Sequence, residues 1–329
     1  MGERGLKKLT VIGAGSVGTS VAYAALIRGS ANEIALYDVN AAKVDAEVLD
    51  LAHGTQFTGS TRVIGGSDLA VTEGSDVIVI TAGAKQRPGQ TRLELAATNA
   101  GILSALMPEL VTRSPQAVHV LVTNPCDVLT VIARRISGLP PERVFASGTV
   151  LDTSRLRLLL AGRAGVSLSS VHAHIVGEHG DSEFPLWSAA AIGPVPILEW
   201  GGPGVAGRGH RQPFDRAELD AIADDVRNAA YAVIQGKGAT NYAIGLSAAR
   251  IVEAILSDEH AVLPVSTVLG DYRGFAAKGL GDVALSVPSV VGASGAFPLA
   301  ETPYSPEESS ALEASAATIL AAVDSISRA

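Results

Sequence analysis

Cysteine is almost absent from this chain of 329 residues, with Cys126 the only one. An intrachain disulfide is therefore excluded, and a reducing compartment is the expected setting. No window of about 18 uncharged apolar residues reads as a membrane span. The N-terminus, Met1 to Lys8, is short and polar and lacks the apolar stretch of a signal peptide. A soluble, cytoplasmic protein is expected. Positive charge is also in deficit: 25 Lys and Arg against 33 Asp and Glu give a net charge of −8. That balance leaves no nucleic-acid footprint. Neither an internal repeat nor a coiled-coil heptad is visible, and no metal is expected.

What is present is a large apolar fraction. Hydrophobic residues make up 47% and charged residues 18%, the composition of a globular chain with a sizeable core. The length allows two domains sharing an interface. Over the first 150 residues, short apolar runs alternate with helical patterns. Leu9–Ile12, Glu33–Val39, Thr61–Gly65, Asp76–Ala82, His119–Thr123 and Arg143–Ser147 read as strands. Several are nearly all apolar, as parallel strands covered on both faces must be. Helices are expected at Val17–Arg28, Ala41–Ala52, Leu93–Leu110 and Val128–Ile136. This alternation predicts an α/β fold built on a doubly wound parallel sheet of the Rossmann type. After about residue 148 the pattern shifts to longer helices and scattered strands, an α+β domain. The division is placed between residues 1–147, a nucleotide-binding domain, and residues 148–329, a catalytic domain. Gly201 to Pro213 reads as an exposed loop.

Gly13-Ala14-Gly15-Ser16-Val17-Gly18 follows the first strand and opens a helix. Glycines there permit a tight turn and let backbone N–H groups approach a pyrophosphate at the helix N-terminus. Asp38 ends the second strand, where a carboxylate would bind ribose hydroxyls and repel a 2′-phosphate. NAD is thus favoured over NADP. Lys43 is either a cofactor contact or a solvated helix charge. Thr81-Ala82-Gly83-Ala84 and Val122-Thr123-Asn124-Pro125 close two further strands, at the edge where an open α/β sheet binds its ligand.

The run Val176-Gly177-Glu178-His179-Gly180-Asp181-Ser182 sets a histidine between glycines and acids. Histidine gives or takes a proton near neutrality. Leu151-Asp152-Thr153-Ser154-Arg155 and the polar loop Lys85 to Arg92 add an aspartate and arginines. Reducing a 2-oxo acid needs this set. One arginine grips the carboxylate through paired hydrogen bonds, and a second cation stabilises the charge growing on the ketone oxygen. A histidine supplies the proton, with a carboxylate fixing its tautomer.

In combination and in order, these motifs resemble the lactate/malate dehydrogenase family over nearly the whole length. The resemblance implies that His179 is the proton donor and acceptor and Asp152 its paired carboxylate. It implies that Arg155 binds the substrate carboxylate and that Arg92, on a mobile loop, polarises the carbonyl. Asn124 and Thr240 would line the substrate pocket. Gly13, Gly15, Val17, Gly18, Asp38, Lys43, Gly83, Ala84, Val122, Asn124, Ser147 and Ile244 would line the cofactor site. Gln86 matches the position at which the family's malate enzymes place arginine. A neutral glutamine leaves a second carboxylate without a counter-charge, so pyruvate and L-lactate are expected, as in glycolysis and fermentation. Arg157 and His172 match positions that bind fructose 1,6-bisphosphate between subunits, an allosteric site. A homotetramer is implied by the resemblance alone. A malate or broader 2-hydroxy-acid dehydrogenase, or an NAD-binding protein without chemistry, are the competing readings.

Overall fold

The computed structural model describes residues 6–84, 91–203, 210–211 and 213–327. Six strands come first: β1 (Lys8–Ile12), β2 (Glu33–Tyr37), β3 (Arg62–Gly66), β4 (Val77–Ile80), β5 (Val118–Leu121) and β6 (Val144–Ala146). They alternate with α1 (Ser16–Arg28), α2 (Ala41–Gly54), α3 (Arg92–Arg113) and α4 (Cys126–Ser137). All pairings among these six strands are parallel. Their order, β6-β5-β4-β1-β2-β3, reverses direction between β1 and β4. An open sheet of this kind leaves a ligand crevice at that switch point, beyond the carboxyl ends of the strands. Both faces are covered, so β4 reads Val-Ile-Val-Ile with every residue buried.

The second half begins with α5 (Val150–Ala164) and a series of two-residue strands: β7 (Val171–His172), β8 (Ile175–Val176), β9 (Phe184–Pro185), β10 (Ala191–Ile192), β11 (Val195–Pro196), β12 (Gly202–Pro203) and β13 (His210–Arg211). The helices α6 (Arg216–Lys237) and α7 (Tyr242–Leu256) follow, then β14 (Ala261–Val268), β15 (Ala284–Gly292), β16 (Gly295–Pro298) and α8 (Pro306–Ser327). The strand-like run from Val171 to Val176 is thus two short strands rather than one. A second difference from the sequence reading is larger. The central sheet does not stop at β6 but continues antiparallel through β14, β15 and β16, making nine strands. Residues after 148 therefore complete the sheet begun by the first half.

One core lies between α1, α7 and one face of the sheet, including Val11, Val79, Val120 and Ile251. A second, with Ile80, Leu103, Met107 and Leu129, lies under α3 and α4 on the other face. Separate clusters fill the space between α5 and α6 and beneath α8. Gly245 lets α7 approach α1 closely, because a Cβ there would lie 2.7 Å from Ser20 Cβ. One segment, Glu94–Arg113 in α3, is long and apolar enough by composition to cross a membrane. Its apolar positions Leu103, Met107 and Leu110 are buried against the sheet, the pattern of a covering helix.

Candidate active site

At the end of β1 the chain turns through Gly13, whose φ is +102°. A side chain is excluded there by conformation and by space, since a Cβ would sit 2.9 Å from the Ala82 nitrogen. At Gly18 a Cβ would fall 1.9 Å from the Gly13 carbonyl oxygen. Gly15 differs: a Cβ there would meet nothing within 4 Å. Gly13 and Gly18 are thus needed by the fold itself, whereas Gly15 faces open space. Helix α1 has no side-chain cap and no acid in its first turn, so its N-terminal N–H groups are left to an anion. Asp38 braces the turn, with Oδ2 accepting from Ala14 N at 2.7 Å and Oδ1 from Asn40 N at 3.0 Å. Among the described residues those oxygens take no further side-chain or backbone donor, which leaves lone pairs for a ribose diol. Val17 is half-buried behind the turn, and Lys43 is exposed in the first turn of α2. The donor set and the open glycine fit a dinucleotide.

The ends of β4 and β5 are tied together by a residue the sequence reading passed over. Buried Asn99 on α3 accepts from Ala84 N at 2.8 Å and donates to the Asn124 carbonyl at 2.9 Å. Gly83 is needed beside it, because a Cβ would come within 2.4 Å of Thr123 Cγ2. Val122 is half-buried, Ser147 is buried and Asn124 is exposed at the rim. Helix α3 starts at Arg92 because Thr91 and Glu94 form a reciprocal capping box. The Arg92 side chain lies outside the described residues, as do Gln86 and the rest of residues 85–90.

The chemical groups meet in a cavity of about 470 Å³ lined by Asn124, Asp152, Arg155, His179, Glu183 and Arg227, among others. Asp152 stands in the first turn of α5 with 2% of its surface exposed. One of its oxygens takes Arg155 Nη1, one helical turn on, and the other lies 2.8 Å from His179 Nδ1. A single carboxylate thus holds a cation and the imidazole.

His179 itself is positioned through its backbone. Its N–H donates to Asp127 Oδ2 at 2.8 Å, while Ser266 on β14 donates to Asp127 Oδ1 at 2.5 Å. The preceding turn is fixed by paired backbone bonds between Gly177 and Ser286 and by Ser315 of α8, which accepts from Glu178 N. Gly177 has φ +94°, a conformation that favours glycine. Four separate elements therefore converge on one loop. None of Asp127, Ser266, Ser286, Ser315 or Glu183 was a candidate from sequence; only Asp127, Ser266 and Ser286 carry even the signal of a polar residue inside an otherwise buried run.

The electrostatics follow from this crowding. Burial disfavours a charged ring, but the hydrogen bond and charge of Asp152, with Asp127 and Glu183 behind, outweigh it and raise His179 to about 9. Burial alone would raise Asp152; the imidazolium and Arg155 reverse that and hold it ionised. Asp127 is pushed up to about 6 by burial, moderated by Ser266 and His179. Glu183 is pushed up to about 8 by burial and by the charge of Asp152.

Two sets of sequence candidates lie elsewhere. Thr240 sits in the connection between α6 and α7, and Ile244 is half-buried on α7; neither lines the cavity among the described residues. Arg157 donates through Nε to the Ala173 carbonyl at 2.9 Å and its Nη2 meets His174 Nε2 at 3.2 Å. Its guanidinium is thus engaged with the neighbouring strands within one chain, while His172 is exposed on β7.

An uncapped glycine turn at the switch point of a parallel sheet, together with a carboxylate–imidazole–guanidinium set built on a buried aspartate, defines a dinucleotide-dependent enzyme of the α/β class. The NAD binding domain of the lactate/malate dehydrogenases matches residues 7–146, and their alpha/beta C-terminal domain matches residues 149–328. The chain belongs to the lactate/malate dehydrogenase family and is an NAD-dependent oxidoreductase. It is 46% identical over 312 residues to an L-lactate dehydrogenase of Bifidobacterium animalis subsp. lactis, covering 95% of this chain and 94% of that one. Among solved structures it resembles a minor L-lactate dehydrogenase from Enterococcus mundtii, with a TM-score of 0.88 and 39% identity over 97% of this chain and 98% of the other. A lactate dehydrogenase from a Medee basin deep-sea metagenome library gives a TM-score of 0.89 at 33% identity, covering 98% and 99%.

Proposed function

We propose that this chain is an L-lactate dehydrogenase that interconverts pyruvate and L-lactate. The observation that carries this reading is the meeting of Asp152, Arg155 and His179 in one cavity with Asn124, just beyond the end of β5. The names of the relatives support it. NAD, held by the turn from Gly13 to Gly18 and by Asp38, supplies or accepts the hydride when bound. Every other task falls to the protein. Arg155 takes the substrate carboxylate through its free guanidinium edge, while Asp152 keeps the arginine in place. His179, charged at neutral pH, donates its proton to the carbonyl oxygen during reduction and recovers it in the reverse direction. Asp152 remains ionised and steadies the imidazolium, and Arg92 supplies the second cation at that oxygen. Gln86 leaves no counter-charge for a second carboxylate, which selects pyruvate over oxaloacetate.

Two further parts of the reading rest on the resemblance. The enzyme works in the cytoplasm, in glycolysis and fermentation, as a homotetramer. Fructose 1,6-bisphosphate binds between subunits at Arg157 and His172; a pyruvate saturation curve unchanged by the bisphosphate would remove that assignment. The principal test is the rate of NADH absorbance loss with pyruvate and with oxaloacetate as separate substrates. Faster turnover of pyruvate is expected. A clear preference for oxaloacetate would overturn the assignment, and no turnover with either would reduce the chain to a binding protein.

A further inference from the structure

Glu183 has no part in the reading above, yet it lies behind the imidazole. It follows the His179 turn immediately before β9, and its side chain is only 4% exposed. Its Oε2 stands 3.9 Å from His179 Nδ1, too far for a hydrogen bond but within strong electrostatic range. Glu183, Asp152 and His179 bring one donor atom each within 4.8 Å of one another. Two carboxyls so close in a cleft share the same cations, and the charge of the first makes the second ionise less readily. Asp152 holds the charge, because it takes Arg155 and the ring. Burial and the charge of Asp152 push Glu183 up to about 8, against the pull of His179, Arg155 and Arg227.

We propose that Glu183 is a positioning residue for His179: a buried carboxyl, 3.9 Å from Nδ1, whose negative charge keeps the proton on the ring over a wider pH range. The inference rests on His179 being the proton donor. The charged groups facing this cluster are consistent with that role. From α5 come Asp152 and Arg155, from α4 Asp127, and from α6 Arg227, which is itself paired with Asp224 at 2.5 Å. Arg155 and Arg227 favour ionised Glu183, whereas Asp152 opposes it. Ionised Glu183 favours the ring proton and delays its loss, and the imidazolium in turn favours ionised Glu183. In the cell this would protect pyruvate reduction against alkalinisation.

The direct test is the titration of His179 followed by NMR with nitrogen-15-labelled histidine, in the wild-type chain, E183Q and E183D. This readout needs no substrate, so it stands even if the assigned reaction is wrong. Glutamine matches the neutral acid, so any loss of pyruvate turnover in E183Q should be smallest at low pH and grow as pH rises. Its His179 midpoint, and the alkaline fall of kcat/KM for pyruvate, should move down by roughly one unit. E183D, which restores an acid, should recover part of that shift. An unmoved His179 midpoint in E183Q overturns the inference. So does an E183Q enzyme impaired equally at every pH, because a neutral isostere would then fail where the neutral acid succeeds. If wild type titrates as expected but turns over no 2-oxo acid, the functional reading fails and the electrostatic one survives.

Discussion

Two histidines in this molecule meet opposite fates, and the contrast explains the site. His119 lies in the middle of β5 with no exposed surface, facing the core beneath α3 and α4. Neither of its ring nitrogens makes a hydrogen bond of good geometry. Burial, with the Arg143 guanidinium nearby, pushes it down to about 4, and it is neutral at any ordinary pH. His179 is also enclosed, though its ring is 29% exposed to the cleft. Three carboxylates around it raise it to about 9. Burial thus silences a histidine, and only a built set of anions turns it into an acid.

Replacing the ring tests the largest effect. His179→Asn should lower kcat for pyruvate reduction on the order of 10²–10⁴-fold, the usual range for a general acid. NADH binding, followed by protein fluorescence, should survive. Wild-type-like turnover in that variant would dissolve the contrast, since His179 would then be as idle as His119. Asp152→Asn comes next. An amide can still meet Arg155, but it supplies no charge to the ring. We expect a loss of roughly 10²-fold or more at pH 7.5, partly recovered at lower pH as the ring regains its proton. A pH-independent loss would assign Asp152 to structure alone.

The Asp127→Asn variant separates charge from scaffolding. Asparagine keeps an oxygen for His179 N but turns its N–H₂ to Ser266 Oγ, which must then switch from donor to acceptor and lose its own partner. A stability loss of about 1–3 kcal/mol by urea denaturation is expected, with a smaller fall in turnover than at Asp152. The gentlest change is His119→Leu, which should leave turnover within about twofold. A base whose folded value is depressed contributes stability that is present above its unfolded value and lost as pH falls. From an unfolded value of about 6.5 to a folded value of about 4, His119 should cost about 2 kcal/mol at pH 5 and about 3 kcal/mol at pH 4. The leucine variant should therefore resist acid better than wild type. The opposite sign holds for His179. Its raised value stabilises the fold fully below about 6.5, and that contribution is lost as pH rises through about 9.

How much of this was legible in the sequence depends on the range of the interactions. The βαβ alternation, the glycine turn and Asp38 are local patterns, and six parallel strands appear within a few residues of their expected places. The antiparallel extension was harder to read. Strands β14 and β15 each contain a proline, Pro264 and Pro288, which argues against a central strand. The two sit directly opposite one another in register. On their outer sides, β6 bridges β14 only at Ser266, and β16 pairs with β15 only from Ser289 onward. Neither proline displaces a bond there.

In the site, Asp152, Arg155 and His179 were visible because their residue types belong together chemically. Asp127, Ser266 and Ser315 were not, because a single polar side chain gains meaning only from partners more than 50 residues away. Thr91 and Glu94 carried a readable capping signal that marks where α3 begins.

The most direct test of the account is the pH dependence of kcat/KM for pyruvate reduction by the wild-type enzyme at saturating NADH. If the surrounding carboxylates hold the proton on His179, the rate stays level through neutrality and falls with a midpoint well above the ordinary histidine value of about 6.5, toward about 9. A midpoint at or below 6.5 would mean that burial prevails at His179 as it does at His119, and would contradict the account.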